Sequence, residues 1–162
     1  PAGPLREPVR AGLSRADAVV IMVPFPDYEP DYTALQLDIL EIPVLKAWLE
    51  PEAAPPSGPL LAFAGIGRPQ KFYDALTAHG AELAETASFP DHHVFTRSEI
   101  EHLADLATSY SAALITTEKD WVRLPGDVQG SVAAWPVRAR FAEPARLDAL
   151  IETAVDRFAK RG

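Results

Sequence analysis

The chain has 162 residues, 48% hydrophobic and 23% charged, which suits one globular domain, or one large domain with a small appendage, built on a real core. Fifteen basic against twenty-three acidic side chains give a formal net charge of −8 with Arg and Lys scattered, which disfavours a nucleic-acid groove and broad docking on anionic lipid. The lack of cysteine excludes disulfides, thiolate metal sites and a cysteine nucleophile, and no apolar run has transmembrane length or the form of a signal segment.

The chain begins Pro1-Ala2-Gly3-Pro4 without an initiator Met, as a trimmed fragment of a longer protein or the product of tag removal would. Proline density across residues 1–8 prevents a continuous helix. Arg6-Glu7 reads there as part of a solvated leading loop, or as a charged pair that the prolines fix at the lip of a cleft. Residues 16–23 are a continuous apolar run rich in β-branched side chains, the pattern of a strand buried on both faces of a parallel sheet. Pro24, Pro26 and Pro30 end it. From Thr33 the pattern alternates, with Leu35, Leu37 and Ile39 on one side, and predicts a half-exposed strand. Pro43 turns the chain, and Val44, Leu45, Trp48 and Leu49 form either an antiparallel partner in a two-stranded arm or a helical turn. Four prolines with Ser and Gly make residues 50–59 a linker or surface loop.

A strand–helix rhythm follows. The strand over 60–64 breaks into Gly65-Ile66-Gly67-Arg68-Pro69, and Pro69 suits the first turn of a helix because its missing N–H needs no partner there. Phe72, Leu76 and His79 repeat at helical spacing, and Gly80 stands where a C-terminal cap belongs. Residues 81–88 read as a strand. Thr96 with Glu99 makes a capping box that opens a helix through Leu103 and Leu106. Residues 112–115 are a strand again, and Thr116 or Thr117 caps a short helix bearing Trp121, Val122 and Leu124. After a turn at 126–130 come strands over 131–135 and 137–141. The closing helix, 143–160, carries Leu147, Leu150, Ile151, Ala154, Val155 and Phe158 on one apolar face. This alternation predicts an α/β fold, a three-layer α/β/α arrangement with a mainly parallel sheet, plus a two-stranded β arm near the N-terminal third.

The polar chemistry gathers at the ends of the 60–64 and 112–115 strands and in the turn between them, and an open α/β sheet binds its ligands outside the carboxyl ends of its strands. Gly65-Ile66-Gly67 reads as bare N–H groups facing an anion or a sugar, with Arg68 beside them, or as a tight corner in which glycine supplies positive φ. It is a poor dinucleotide fingerprint, because Pro69-Gln70 stands where a third glycine belongs. In Asp91-His92-His93 an aspartate can orient a ring that handles protons or touches phosphate; the plainer reading is a solvated pair closing a loop. No further ligands stand at zinc spacing, so no metal site is expected; His79 and His102 fall on helices as surface or boundary residues. Thr116-Thr117-Glu118-Lys119-Asp120 reads as a well-capped helix start, which leaves Lys119 as the residue that capping does not require. No Gly-x-x-x-x-Gly-Lys-Ser/Thr occurs, so the chain has no P-loop of its own.

These motifs occur in a familiar order: Pro1-Ala2-Gly3-Pro4-Leu5-Arg6-Glu7, Ala16-Asp17-Ala18-Val19-Val20, Ala62-Phe63-Ala64-Gly65-Ile66-Gly67-Arg68-Pro69 with Lys71-Phe72, Phe89-Pro90-Asp91-His92-His93, and Thr116-Thr117-Glu118-Lys119-Asp120. Together they resemble the carboxyl-terminal part of the tetraacyldisaccharide 4′-kinases, the lipid A 4′-kinases of Gram-negative bacteria. The resemblance implies an enzyme that moves the γ-phosphoryl of ATP, with Mg²⁺, to the 4′-hydroxyl of a lipid A precursor disaccharide at the cytoplasmic face of the inner membrane. It implies two α/β/α domains joined by a two-stranded arm, with the active site between them. Residues 1–32 are then the end of the first domain, 33–59 the arm and linker, and 60–162 the second domain. The family's P-loop, acidic metal-binding motif and membrane-associating helix lie upstream of the matched part. The chain alone is therefore expected to be a soluble, inactive fragment without a tightly bound cofactor. Carried over by motif, Asp91 and His92 face the nucleotide's phosphates, and Arg6 and Glu7 lie near substrate or metal. Gly65, Gly67, Arg68, Thr117 and Lys119 line the nucleotide side. The alternative is a stand-alone α/β module that binds a nucleotide or small anion without catalysis.

Overall fold

The fold comes from a computed structural model, which describes residues 9–34, 37 and 40–159. In chain order its first elements are α1 (Val9–Leu13), β1 (Val19–Met22), β2 (Val44–Pro51), β3 (Pro59–Ala64), α2 (Pro69–Ala78), β4 (Glu82–Ser88) and α3 (Arg97–Ser109). There follow β5 (Ala113–Thr117), α4 (Glu118–Trp121), a 3₁₀ turn (Gln129–Ser131), β6 (Val132–Trp135), β7 (Val137–Phe141) and α5 (Pro144–Ala159). The chain divides into two compact units: one holds the described residues up to Glu50 and from Arg138 onward, the other Pro51–Val137. The divisions between these units fall at 50/51 and 137/138, and the closing helix groups with the first unit. The reason is pairing: β7, which leads into that helix, belongs to the sheet of β1 and β2.

In the first unit β1 runs parallel to β2, with Val19 opposite Val44 and Met22 opposite Ala47. The amide of Ala142 donates to the Lys46 carbonyl at 3.0 Å and that of Glu52 to the Pro136 carbonyl at 3.1 Å. Position rises on one strand as it falls on the other, so β7 lies antiparallel on the second edge of β2. Among the described residues, the 44–51 segment is a strand whose antiparallel partner lies some ninety residues downstream, and the alternating stretch predicted from Thr33 falls largely outside the described residues. Residues 32–34 lie in a turn, and Leu35, Gln36, Asp38 and Ile39 lie outside the described residues. The run at 16–23 is also corrected: only Val19–Met22 is strand, and it alternates half-buried with exposed, Val20 and Met22 facing out. On α5 the predicted apolar face exists, but Ile151, Val155 and Phe158 are exposed.

The second unit has a complete core. Its four strands are all parallel in the order β4-β3-β5-β6. Strand period two sends alternate residues of β3 to opposite faces. Leu61 and Phe63 join Leu114, Val132, Phe95 and the Ile100, Leu103 and Ala107 stripe of α3. Leu60, Ala62 and Ala64 join Ile115, Trp135 and the Phe72, Tyr73 and Leu76 stripe of α2. One helix thus covers each face, giving the α/β/α layers. The connection from β3 runs to β4 on one side and the next crosses to β5 on the other, so the strand order reverses at β3/β5. That reversal is where a doubly wound sheet opens a crevice at its carboxyl edge.

Phe63 is fully buried at the centre, its ring meeting Phe95 edge-on at 5.3 Å and Phe89 at 6.5 Å. Phe63→Ala is expected to destabilise the second unit by about 3–5 kcal/mol, lost transfer energy plus a cavity, as read from the urea midpoint.

Candidate functional site

The β3/β5 crevice is built on Gly65. It is buried, and its N–H donates to Asp120 Oδ2 at 2.9 Å. Neither Gly65 nor Gly67 has positive φ; among the described glycines only Gly58 and Gly80 do. The requirement is space. A Cβ on Gly65 would lie 3.1 Å from His93 Cβ, 3.3 Å from Phe95 Cζ and 3.4 Å from the Pro90 carbonyl. A Cβ on Gly67 would lie 3.4 Å from Asp91 Oδ2. Gly65 therefore lets the loop after β4 lie directly on the end of β3, while at Gly67 a Cβ would meet Asp91 at ordinary contact distance.

That loop sends its two histidines to different tasks. His93 is half-buried, stacked on Phe89 at 4.9 Å and edge-on to Phe95, with Nε2 3.0 Å from Glu99 Oε1. Glu99 also closes the capping box, accepting from the Thr96 amide and hydroxyl while its own amide bonds Thr96 Oγ1. These bonds from Thr96, with the one from His93, hold the Glu99 carboxyl below the usual carboxylate range. His92 points outward, its side chain 72% exposed. Its φ of 60° is a left-handed conformation rare outside glycine, though His tolerates it better than most. The His92 amide donates to the Gly65 carbonyl at 3.1 Å and to Asp91 Oδ1 at 3.0 Å, which fixes that conformation.

Asp91, half-exposed, lies between two cations or potential cations: His92 Nε2 is 3.7 Å from Oδ2 and Lys119 Nζ 3.8 Å from Oδ1. Five of the residues singled out in the sequence (Gly65, Gly67, Asp91, His92 and Lys119) thus meet at the ends of β3, β4 and β5. Arg68 is exposed beside them at the N-cap of α2, where its side chain makes no capping bond. Thr117 is not free to face a ligand: its hydroxyl caps α4 by accepting from the Asp120 amide at 3.1 Å and donates to Asp120 Oδ2 at 2.8 Å. Arg6 and Glu7 lie outside the described residues. Among the described residues no three His, Asp or Glu groups come together to hold a metal ion. A separate cavity of about 400 Å³ belongs to the first unit, lined by Ile21, Met22, Val23 and Tyr28 among others.

Sequence reading missed Asp120 and Arg123. Asp120 is completely buried, and Arg123 forms an ion pair with it. The signal was the i, i+3 spacing of Asp120 and Arg123, which on a short helix reads equally as a solvated pair.

With the geometry in view, likeness to known proteins becomes informative. The family model described as Tetraacyldisaccharide-1-P 4′-kinase (LpxK) matches residues 1–156. A protein of Maricaulis maris named Tetraacyldisaccharide 4′-kinase is 59% identical over 156 residues, covering 96% of this chain and 46% of the relative. One of the same name from Caulobacter vibrioides is 51% identical over 152 residues, covering 94% and 45%. The chain thus spans about half the length of the curated relatives it matches. Among solved structures it resembles an "apo" form of LpxK from Aquifex aeolicus in complex with ATP. There the TM-score is 0.60 at 26% identity, over 94% of this chain and 47% of that one.

The depressed Glu99 carboxyl makes the loop's support acid-sensitive. A folded-state pKa below the unfolded value contributes stability that is present above the unfolded pKa and fades as pH falls through the folded one. Glu99→Gln is therefore expected to be less stable than the parent at neutral pH, with the gap narrowing as pH falls below the ordinary carboxylate range. Urea midpoints of both proteins across that range test this, and a constant gap would count against it.

Proposed function

Membership of the tetraacyldisaccharide-1-P 4′-kinase family, to which this chain belongs, is the premise from which we propose that it forms part of an ATP-dependent lipid A kinase. The reaction is transfer of the γ-phosphoryl group of ATP to the 4′-hydroxyl of a tetraacyldisaccharide 1-phosphate. The observation that carries the reading is the meeting of Asp91, His92 and Lys119 outside the carboxyl ends of β3, β4 and β5. Phosphoryl transfer rewards positioning and stabilisation of spread negative charge above all. His92 offers an exposed imidazole for a phosphate oxygen or a proton in transit, and Asp91 orients it. Lys119 adds a cation that its loose 3.8 Å contact with Asp91 leaves available. Gly65 leaves room for the loop that carries His92, Gly67 lies against Asp91, and Arg68 is placed in this reading on the nucleotide side of the same corner. Thr117 acts from behind through Asp120, and Arg6 and Glu7 belong near substrate or metal.

The triphosphate cradle and the Mg²⁺ ligands are assigned in this reading to the part of the relatives' length that this chain does not match. Among the described residues no helix is long and apolar enough to cross a membrane. Work at the cytoplasmic face of the inner membrane, which the lipid substrate demands, is likewise assigned to residues beyond these.

His92→Asn removes the imidazole but keeps a residue that accepts a left-handed backbone. In the full-length kinase that carries this chain, it is expected to lower turnover about 10²-fold or more, the scale of lost proton handling. The denaturation midpoint should hold. Parallel loss of fold and activity would refute a role for His92 in the chemistry.

A further inference from the structure

We propose that Asp120 and Arg123 are a positioning pair, which sets the backbone of His92 through the Gly65 peptide; as a statement about catalysis this rests on the kinase reading above. Asp120 Oδ2 accepts the Gly65 N–H at 2.9 Å and the Thr117 hydroxyl at 2.8 Å. Its other oxygen takes Arg123 Nη2. The same Arg123 nitrogen donates to the Gly65 carbonyl at 3.2 Å, while Nε donates to the Lys119 carbonyl at 3.2 Å. One ion pair thus grips both ends of Gly65 and touches the backbone that presents Lys119.

The Gly65 carbonyl is also the acceptor for the His92 amide at 3.1 Å. Its direction therefore decides whether His92 can keep a φ of 60°. A fully buried carboxylate is a poor route to stability, since its desolvation offsets much of the attraction it gains. A hydrophobic pair would fill the same space. It would not hold the two peptide units on either side of the Gly65 Cα, one by its N–H and the other by its carbonyl, which is what this ion pair adds. The side-chain bonds of Asp120 and Arg123 go to Gly65, Thr117, Lys119 and each other, so the route from this pair to the His92 amide runs through Gly65.

The test uses Arg123→Met, the milder Arg123→Lys, His92→Asn and the two doubles with His92→Asn, all in the full-length kinase. Amide hydrogen exchange of the peptide containing His92 is read beside kcat and KM. Arg123→Met is expected to speed exchange at His92 and lower kcat roughly tenfold, the scale of coupling within one hydrogen-bond network. KM for ATP should move little, and Arg123→Lys should restore part of kcat by keeping the charge beside Asp120. Added to His92→Asn, either Arg123 change should cost little further turnover, because its effect passes through the imidazole. Full additivity, or exchange at His92 unchanged in both Arg123→Met and Arg123→Lys, overturns the proposal. Faster exchange with undiminished turnover in His92→Asn and the Arg123 variants removes His92 from the chemistry, whereas no ATP-dependent 4′-phosphorylation by the parent protein sinks the kinase reading; either result leaves the positioning of the His92 backbone standing.

Discussion

The Gly65 peptide is where the second unit's rigid interior meets its polar rim. Its amide is bound by a buried carboxylate, its carbonyl by a guanidinium and by the His92 amide, and its missing side chain gives room to His93 and Phe95. Each of these demands restricts the others. A side chain at Gly65 would push the β4 loop outward, and the His92 amide would then lose its acceptor. Thr117 has the same dependence from the other strand. Its hydroxyl caps α4 by accepting from the Asp120 amide and donates to the same Asp120 carboxylate that Gly65 and Arg123 satisfy. Burial is tolerable because each carboxylate oxygen has a donor.

The sheet explains why this joint lies where it does. Parallel strands send their carboxyl ends to one edge, and reversal of strand order between β3 and β5 keeps the two covering helices from closing over that edge together. The core residues of β3 serve both faces, so neither helix can shift without disturbing the strand that ends in Gly65. The register is anchored further by the buried Thr116 hydroxyl, which donates to the Phe63 carbonyl at 2.7 Å, and by Trp121 Nε1, which donates to Val132 at 2.9 Å. The first unit has no such closure among its described residues, with Val20, Met22, Ile151, Val155 and Phe158 left in solvent.

What the sequence revealed of this follows the range of the physics involved. The Thr96–Glu99 capping box was readable because every partner lies within three residues. The helix stop at Gly80 was equally local, and its φ of 86° is the one that glycine accepts freely. The meeting of the glycine turn, Asp91-His92 and Lys119 was readable one step further, since strand–helix alternation sends all three to one edge. Beyond that, local pattern fails. Periodicity gives β2 a strand's character but not its partners, which lie at 19–22 and 137–141. Nothing local distinguishes His92 from His93; the split follows from Phe89, Phe95 and Glu99 claiming one ring. Asp120 looked like an ordinary first-turn acid because its deciding partner, Gly65, is fifty-five residues away. The glycine turn reads from sequence either as bare N–H groups facing a ligand or as a corner needing positive φ; that φ is absent, and Gly65 supplies clearance against a loop that the sequence could not place.

The gradation outward from that joint gives the rim its character. Asp120 is sealed, Arg123 mostly covered, Asp91 and Lys119 about half-exposed, and the His92 ring largely in water. A buried and fully satisfied pair has one arrangement, whereas an exposed pair at 3.7–3.8 Å contributes about 0–1 kcal/mol and is easily exchanged. The backbone that carries His92 is thus held tightly while the groups that project from it are held weakly. On the proposed kinase reading, a phosphate group would take Lys119 from Asp91 at little cost and meet an imidazole whose backbone need not move. Charge stabilisation of this kind is effective because the reorganisation has been completed by folding. A loop with the same residues but without the Gly65 anchor would have to supply it on every encounter.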